Sequence, residues 1–370
     1  MKIALFSGAV KNAGDFLITE RTESLLRAFI PDASITRYIR NTAQDAHLED
    51  INSNDIAVFA GGPGFVYDIY PSRMPLVKDL ADITIPIREI GMGCYSHDGT
   101  VDAIPFTTDS LELLCRFEDA GRLPLSCRDD LSRSILVESG FDDVWMTGCP
   151  AWYDIDFIKM NSELIPTPPD NIKRIAISDP GRIANFNTLK QLLESIFRIY
   201  GNPEITVVFH KGWKDDANAS KVMVSEQRKL IGWIRKHYPD VRFSDISYGT
   251  EGFAVYDECD MHIGFRVHAH IYSLSHRKPS FLIEEDGRGF GLNDTLDMTH
   301  FPISRKSTFK KALLKATGST GRADRDIALS IVSHSYDQAS MGFPEVSRAI
   351  GIMNSSFEKM TDYLRIARGS

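Results

Sequence analysis

Ionisable side chains are concentrated in one apolar stretch of the chain, residues 262–286. The stretch reads HIGFRVHAHIYSLSHRKPSFLIEED, with four histidines and two arginines among the apolar residues of a predicted strand and helix. Three kinds of chemistry use these residue types: metal binding by histidine, anion binding by arginine and histidine, and plain solvation of surface charge.

The spacing of the histidines argues against a metal site, because a zinc ion needs three or four ligands brought together. His268 and His270 are two residues apart, so on a helix they point in roughly opposite directions. His262 lies at the start of the preceding strand. We therefore predict no metal, and we interpret His262, His270 and His276 as ordinary core or solvated histidines.

Arg266 and His268 have the positions expected of an anion site. They occupy the carboxyl end of the predicted strand and the first turn of the next helix, where free N–H groups and the helix dipole favour an anion. A guanidinium adds bidentate recognition of phosphate or carboxylate, and an imidazole adds a proton donor near neutral pH. Lys211 and Arg288 follow neighbouring strands and are further candidates for contacts with the anion.

Short apolar runs alternate with helical stretches along most of the chain, which indicates parallel sheets with helices on both faces. The predicted strands include KIALF, DIAVFAGGPG and IPIREIGMG in the first half, and RIAIS, EITVVF, VRF and MHIGF in the second. Pro166, Pro168 and Pro169 interrupt this alternation and predict a linker. The sequence therefore predicts two doubly wound α/β domains, residues 1–165 and 172–320.

Residues 321–370 are predicted to form helices that pack back on these domains. Apolar residues recur there at steps of four and three, as on one face of a long helix: Val346, Ile350, Met353, Phe357, Met360 and Leu364. The run is too short for a coiled coil, which needs sustained heptads.

The composition excludes several classes of function. The chain has 370 residues, a formal net charge of -8 and a pI near 5.7, which argues against nucleic acid as a partner. Its five cysteines include no Cys-x-x-Cys pair and are typical of reduced thiols. Neither a signal peptide nor a membrane-spanning run is visible, so we expect a cytoplasmic protein.

Two glycine-containing loops follow strands of the first domain, where ligands collect in open α/β sheets. SGAVKNAGD contains Asn12 and Asp15, and AGGPGFVYD contains Gly62 and Asp68. Neither loop has the spacing of a Walker motif or a dinucleotide-binding motif. Each is interpreted either as a capped turn or as a place where backbone and polar groups contact a substrate hydroxyl.

Four segments resemble the polysaccharide pyruvyl transferase family in their order and spacing. They are NAGD, DIAVFAGGPG, SCRDDLSRSILVESGFDDVWMTGCPA and the histidine-rich stretch 262–286, and together they span most of residues 1–295. The resemblance implies a GT-B-like fold, in which two Rossmann-like domains face each other across a cleft. It also implies transfer of the enolpyruvyl group of phosphoenolpyruvate to a sugar of a polysaccharide or glycan precursor, usually as a ketal, with no cofactor.

The resemblance also implies roles for individual residues. His268 is the expected general acid that protonates the donor, and Arg266 is expected to bind its phosphate, with Lys211 and Arg288 as further donor contacts. The first domain is expected to bind the acceptor, which is a sugar or a lipid-linked oligosaccharide. The candidate acceptor contacts are Asn12, Asp15, Gly62 and Asp68. A lipid-linked acceptor would bring the chain to a membrane surface.

Three departures from the family pattern leave other functions open. Cys149-Pro150-Ala151 stands where Asp-Pro-Ala is common, Pro63 replaces a glycine, and Arg288 replaces a lysine. A GT-B-like glycosyltransferase that uses a nucleotide sugar has a similar arginine and histidine at a strand end. A noncatalytic binding protein would keep the same fold.

Overall fold

The computed structural model describes residues 1–95, 99–159, 168–303 and 319–369. Within these residues the chain forms two parallel sheets with helices, so the predicted α/β class is confirmed. Residues 160–167, which include much of the predicted linker with Pro166, lie outside the described residues.

The chain divides into two compact units. Unit 1 consists of Met1–Val10, Asp15–Asn161 and Gly351–Ser370, and unit 2 consists of Lys11–Gly14 and Ser162–Ile350. The short segment Lys11–Gly14 therefore belongs to the second unit, although it lies near the start of the chain.

Unit 1 contains a six-stranded sheet with the strand order β2-β1-β3-β4-β5-β6, in which all neighbouring strands are parallel. The strands are β1 (Lys2–Ser7), β2 (Ser34–Ile39), β3 (Ile56–Phe65), β4 (Ile87–Cys94), β5 (Leu125–Cys127) and β6 (Val144–Met146). Every residue of β4 and nearly every residue of β1 and β3 is buried. Such continuous burial is typical of parallel strands that are covered on both faces.

The apolar runs do not predict strand β2. Tyr38 is its only buried residue, because β2 forms the edge of the sheet. An edge strand keeps one side accessible to water and needs no apolar run. Its backbone pairing with β1, from Lys2 with Ser34 to Ser7 with Ile39, identifies it instead.

The helices that precede the second sheet are α1 (Ala13–Phe29), α2 (Leu48–Asn52), α3 (Thr108–Phe117), α4 (Asp130–Glu138) and α5 (Ile155–Lys159). Side-chain caps begin two of them: Thr107 accepts from Ser110 N–H before α3, and Asp129 accepts from Ser132 N–H before α4. Gly140 follows α4 with a φ of 98°, the conformation that a glycine at a helix end supplies.

Unit 2 contains a five-stranded parallel sheet with the order β11-β10-β7-β8-β9. Its strands are β7 (Arg174–Ser178), β8 (Glu204–Phe209), β9 (Arg242–Asp245), β10 (Met261–Gly264) and β11 (Ser280–Leu282). The helices between and after them are α6 (Phe186–Tyr200), α7 (Lys221–His237), α8 (Ala254–Asp257), α9 (Val267–Ser275) and α10 (Gly287–Thr295).

Helices α11 (Ser319–Ser340) and α12 (Pro344–Gly369) confirm the predicted C-terminal helical segment. The residues of the predicted apolar stripe that are buried are Val346, Ile350, Met353, Met360 and Leu364. The ring of Phe357, also in the stripe, has its centroid 5.2 Å from that of Tyr153. Among the described residues, we find no helix with the length and apolar content needed to cross a bilayer.

In each sheet, the strands that come later in the sequence lie on both sides of the first strand. β1 lies between β2 and β3 in the first sheet, and β7 lies between β10 and β8 in the second. In open parallel sheets, ligands bind outside the carboxyl ends of the strands at such a switch point. A ligand is therefore expected at the loops after β1 and β3 in unit 1, and at those after β7 and β10 in unit 2.

Glu89 of β4 is completely buried in unit 1. Its Oε1 accepts a hydrogen bond from Ser126 N–H at 2.6 Å, and its Oε2 has no partner among the described residues. Burial raises the pKa of Glu89 to about 8. The carboxyl group is therefore largely protonated at neutral pH.

We expect Glu89 to make the free energy of unfolding fall as the pH rises from 4.5 to about 8. Over this range the folded state keeps a proton that the unfolded carboxyl group releases, so this contribution to stability is complete below the range and lost above it. Glu89→Gln cannot ionise, so its stability relative to the native protein should increase with pH. Urea unfolding at several pH values measures the difference, with the exposed Glu138→Gln as control. A difference that does not vary with pH would contradict a neutral Glu89.

Candidate functional site

A pocket opens at the switch point of the second sheet. It lies at the carboxyl ends of β10 and β11 and at the amino ends of α9 and α10, and it contains about 440 Å³ of empty space, part of it open to solvent. The polar and charged residues that line it are Asn12, His210, Arg266, His268, Glu285, Asp286 and Arg288. The pocket thus brings together three of the four predicted donor contacts.

The guanidinium of Arg266 is held by a buried carboxylate. Its Nε and Nη2 donate to the two oxygens of Asp179 at 2.8 and 2.7 Å, and Asp179 is completely buried. Burial lowers the pKa of Arg266, but the charge of Asp179 outweighs it and the pKa lies above its usual value. The guanidinium therefore stays charged. Its Nη1 makes no hydrogen bond among the described residues, and the charge of Glu285 also acts on the guanidinium.

The histidine-rich stretch contributes to a buried chain of hydrogen bonds that begins at Ser178. Ser178 Oγ accepts from the backbone N–H groups of Phe265 and Arg266 at 2.9 and 3.0 Å. The Ser178 hydroxyl therefore donates its own proton to His262 Nε2, which lies 2.9 Å away. His262 must therefore hold its ring proton on Nδ1, and it donates this proton to Ser280 Oγ at 2.7 Å.

The chain continues from Ser280 to His270. Ser280 has one hydroxyl proton, which it donates to His270 Nδ1 at 2.7 Å. Burial lowers the pKa of His262 well below its usual value and that of His270 to about 3. Both rings are therefore neutral near pH 7 and belong to the core. Among the described residues, no group of three or more His, Cys, Asp and Glu side chains could hold a metal ion.

His268 lies in the first turn of α9, against the segment Lys11–Gly14 of the same unit. A Cβ built on Gly14 would lie 2.2 Å from His268 Nδ1, so only glycine leaves room for the ring. Ala13 N–H donates to the carbonyl oxygen of His210 at 3.0 Å and holds this segment in unit 2. Asn12 therefore lies in the pocket with the predicted donor residues, which differs from its predicted place on the acceptor side.

His210 lines the pocket from the end of β8, a position for which the sequence assigns no role. Its Nε2 lies 2.7 Å from the Tyr256 hydroxyl oxygen. Burial, followed by the charges of Arg266 and His268, lowers the pKa of His210 well below its usual value, so the ring is neutral. The adjacent Lys211, which is a predicted donor contact, is exposed and is not among the residues that line the pocket.

Two further carboxyl groups offset part of the positive charge of the pocket. Asp286 caps α10 and accepts from Arg288 Nε and Nη2, both at 2.9 Å. Burial raises the pKa of Asp286, but Arg288 lowers it below its usual value overall. Glu285 accepts from Gly181 N–H at 2.6 Å, and burial raises its pKa against the opposing charge of Arg266.

No motif in the sequence singles out Asp179, Glu285 or Asp286. A signal exists for Asp179, because it directly follows the strand RIAIS, at the end of a parallel strand where ligands collect. Glu285 and Asp286 likewise follow the strand SFL. The order of the strands is what brings these residues beside Arg266, and that order is not visible in the sequence.

The other predicted acceptor residues lie in unit 1. Asp15 is in the first turn of α1, and Gly62 of β3 has a φ of 89°. Asp68 accepts from Ser72 N–H and Oγ at 3.1 and 2.6 Å and so holds the turn Ile69–Arg73. Both oxygens of Asp68 serve this turn, and a sugar hydroxyl would share them.

Comparison with known proteins places these observations in a family. The sequence model of the family described as Polysaccharide pyruvyl transferase matches residues 12–287. No curated protein is similar enough to the chain to count as a match.

Solved structures show a similar fold at low sequence identity. A structure described as "OtsA apo structure" has a TM-score of 0.54 and 10% identity, covering 99% of this chain and 98% of that chain. A glycosyltransferase from Rickettsia africae ESF-5 has a TM-score of 0.48 and 10% identity, covering 100% and 99%. A putative UDP-N-acetylglucosamine 2-epimerase from Listeria monocytogenes has a TM-score of 0.47 and 9% identity, covering 94% and 93%. The likeness to OtsA concerns the fold alone, and the predicted GT-B-like class is confirmed.

We expect Arg266→Met to lower the free energy of unfolding by about 3 to 5 kcal/mol, because it leaves the buried charge of Asp179 without a partner. The double variant Arg266→Met/Asp179→Asn removes that charge and should be more stable than Arg266→Met. Arg242, whose exposed side chain pairs with Glu204 at 3.0 Å, provides the control, and Arg242→Met should cost at most about 1 kcal/mol. Urea unfolding measures the free energy of unfolding of all three variants. An equal decrease for Arg266→Met and Arg242→Met would contradict a special contribution of the buried pair.

Proposed function

Because the chain belongs to the polysaccharide pyruvyl transferase family, we propose that it transfers the enolpyruvyl group of phosphoenolpyruvate to a sugar of a polysaccharide or glycan precursor. Membership makes the protein a transferase of polysaccharide pyruvylation.

The pocket at the second switch point is the observation that carries this proposal. Phosphoenolpyruvate has a phosphate and a carboxylate, and the pocket offers positive groups from more than one direction. Helix α9 begins without a side-chain cap, so its dipole and first N–H groups favour an anion. Arg266 contributes Nη1, and Arg288 contributes a second guanidinium from α10.

The pairing of Arg266 with Asp179 suits a binding role. Two nitrogens of the guanidinium are fixed by the carboxylate, so the direction of Nη1 is set before a donor binds. A side chain that is already ordered loses less conformational entropy on binding. The pair therefore provides a positioned contact for phosphate, at the cost of part of the net positive charge.

The proposed reaction begins with a proton transfer to C3 of phosphoenolpyruvate. A sugar hydroxyl then attacks the cation that develops at C2, and a second hydroxyl of the same sugar displaces phosphate, which completes the ketal. Of the two hydroxyl protons released, one leaves with the phosphate and the other restores the general acid. We assign delivery of the proton to His268 and stabilisation of the departing phosphate to Arg266. His210 is neutral and forms a hydrogen bond with Tyr256, so its proposed role is to hydrogen-bond and orient the ligand.

The proposed acceptor is a sugar, either free or within a lipid-linked oligosaccharide. Asp15, Gly62 and Asp68 remain its predicted contacts. Asn12 lines the donor pocket, so we assign its amide to the donor or to the sugar hydroxyl that attacks it. A lipid-linked acceptor would bring the protein to a membrane surface, and cytoplasmic phosphoenolpyruvate would then meet the acceptor there.

We expect phosphoenolpyruvate to bind saturably in isothermal titration, and UDP-glucose to give no response. Arg288→Gln should weaken phosphoenolpyruvate binding about ten- to a hundredfold, as expected for the loss of a charged hydrogen bond. Lys214→Gln, an exposed substitution outside the pocket, should bind like the native protein. A response to UDP-glucose with none to phosphoenolpyruvate would favour glycosyl transfer and contradict the proposal.

We expect His268→Gln to reduce kcat by about 100- to 10,000-fold, because it removes the general acid. The dissociation constant for phosphoenolpyruvate should change much less, since Arg266 and α9 remain. Release of inorganic phosphate in the presence of a panel of oligosaccharides measures the rate, and titration measures the affinity. His237→Gln, on the exposed end of α7, is the matched control. An unchanged kcat in His268→Gln would exclude this histidine as the acid.

A further inference from the structure

Arg40 is a buried cation at the switch point of the first sheet. It directly follows β2, and its Nη1 donates to the carbonyl oxygens of Ala60 and Gly61, both at 2.6 Å. These carbonyl groups lie just past Phe59, the last residue of β3 that pairs with β1. Arg40 is only 4% exposed. Its guanidinium therefore lies where open parallel sheets bind ligands.

Two glycines make room for this guanidinium. A Cβ built on Gly8, which follows β1, would lie 3.2 Å from Arg40 Nη2. A Cβ on Gly62 would lie 2.9 Å from the same nitrogen, and the φ of 89° at Gly62 also disfavours any other residue. The backbone on both sides thus approaches the guanidinium closely and leaves no side chain over it at these positions.

Arg40 forms no salt bridge among the described residues, and the charge of Asp15 acts on it without direct contact. Its Nε and Nη2 also make no hydrogen bond there, so Nη1 alone is satisfied. A buried charge without a counterion is costly, because it has lost water and gained nothing equivalent. Burial lowers the pKa of Arg40 to about 10, while Asp15 raises it and Arg73 lowers it. The guanidinium is therefore still charged at neutral pH.

We propose that Arg40 binds an oxyanion of the acceptor, which is either a phosphate ester or a carboxylate on the sugar. An oxyanion that accepts from Nε and Nη2 would form the bidentate contact for which a guanidinium is shaped. Naming this ligand as the acceptor rests on the proposed function. The anion site itself rests on Arg40 and the two glycines.

The neighbours of Arg40 are consistent with an acceptor site. Gly62 is itself a predicted acceptor contact, and Asp68, another, holds the turn that carries Arg73. Arg73 is exposed and lies near enough for its charge to lower the pKa of Arg40. Asp15 is the opposing charge, and it would favour a hydroxyl of the same sugar beside the anionic group.

A structural role for Arg40 is the competing explanation. Nη1 fixes two carbonyl groups of β3, and that contact alone would stabilise the loop. It uses one nitrogen of three, however, and it does not require a charge. The test must therefore separate binding of anions from stability of the fold.

The test titrates the native protein and Arg40→Lys with glucose 1-phosphate, glucuronate and glucose. We expect the native protein to bind one or both anionic probes at least about tenfold more tightly than glucose, as a charged hydrogen bond predicts. The anionic probe that binds more tightly shows whether the anionic group of the acceptor is a phosphate or a carboxylate. Arg40→Lys keeps the charge but loses the paired N–H groups, so the preference should fall about ten- to a hundredfold.

Arg288→Gln assigns the binding to a site. If it abolishes binding of the anionic probes while Arg40→Lys does not, the anion belongs to the pocket of unit 2 and the proposal is overturned. Phosphoenolpyruvate, titrated in parallel, keeps the two proposals distinguishable. A lack of phosphoenolpyruvate binding would reject the proposed function, whereas binding of an anionic probe that depends on Arg40 would still establish the anion site.

A substitution of an exposed residue provides a test that remains valid even if Arg40→Lys does not fold. Arg73→Gln should weaken binding of the anionic probe several-fold, while Arg122→Gln, an exposed arginine of the same unit, should leave it unchanged. Thermal unfolding of each variant checks its fold. Equal affinity of the native protein for glucose and both anionic probes, or equal binding by native protein and Arg73→Gln, would overturn the proposal.

Discussion

The ion pair between Arg266 and Asp179 sets the geometry on which the candidate donor pocket depends. It joins the carboxyl ends of β10 and β7, the neighbouring strands at the switch point of the second sheet. Ser178, next to Asp179, accepts the N–H groups of Phe265 and Arg266, so the backbone and the side chain of one turn are held by one strand end. Because α9 begins directly after Arg266, this attachment also decides where the helix dipole and His268 are placed.

The two sheets each present an arginine at the switch point, but the surroundings of these arginines differ. Arg266 is paired with a buried carboxylate, so a ligand meets a guanidinium whose charge is already offset and whose direction is fixed. Arg40 donates only to carbonyl oxygens, which orient it without cancelling its charge. In the two proposed sites, Arg266 would therefore fix the position of an anion, whereas Arg40 would supply net positive charge. This difference matters in a chain with a formal net charge of -8, which attracts anions only through such local sites.

The sequence predicts those parts of the molecule whose burial is visible as a local pattern of residue types. β1, β3 and β4 are buried on both faces and appear as apolar runs, whereas the edge strand β2 is mostly exposed and does not. Arg266 and His268 are recognisable because they share one strand-to-helix junction. Asp179 meets Arg266 from 87 positions away in the sequence, and Asn12 reaches the same pocket from the start of the chain. Strand order and loop path determine both contacts, and neither leaves a local pattern.

The histidines of residues 262–286 divide by burial rather than by spacing. His262 and His270 are enclosed by Ser178 and Ser280, and each hydroxyl has a single proton to donate, so the tautomers of both rings follow from counting protons along the chain. Burial disfavours the charged form of both rings and so keeps them neutral. Protonating either ring would also put two hydrogen-bond donors face to face. His268 lies outside this chain, on the pocket and at the start of a helix. His276 also lies outside this chain, and its Nδ1 is 2.7 Å from Asp257 Oδ1. The position of His268 on the pocket is consistent with its proposed role as the acid.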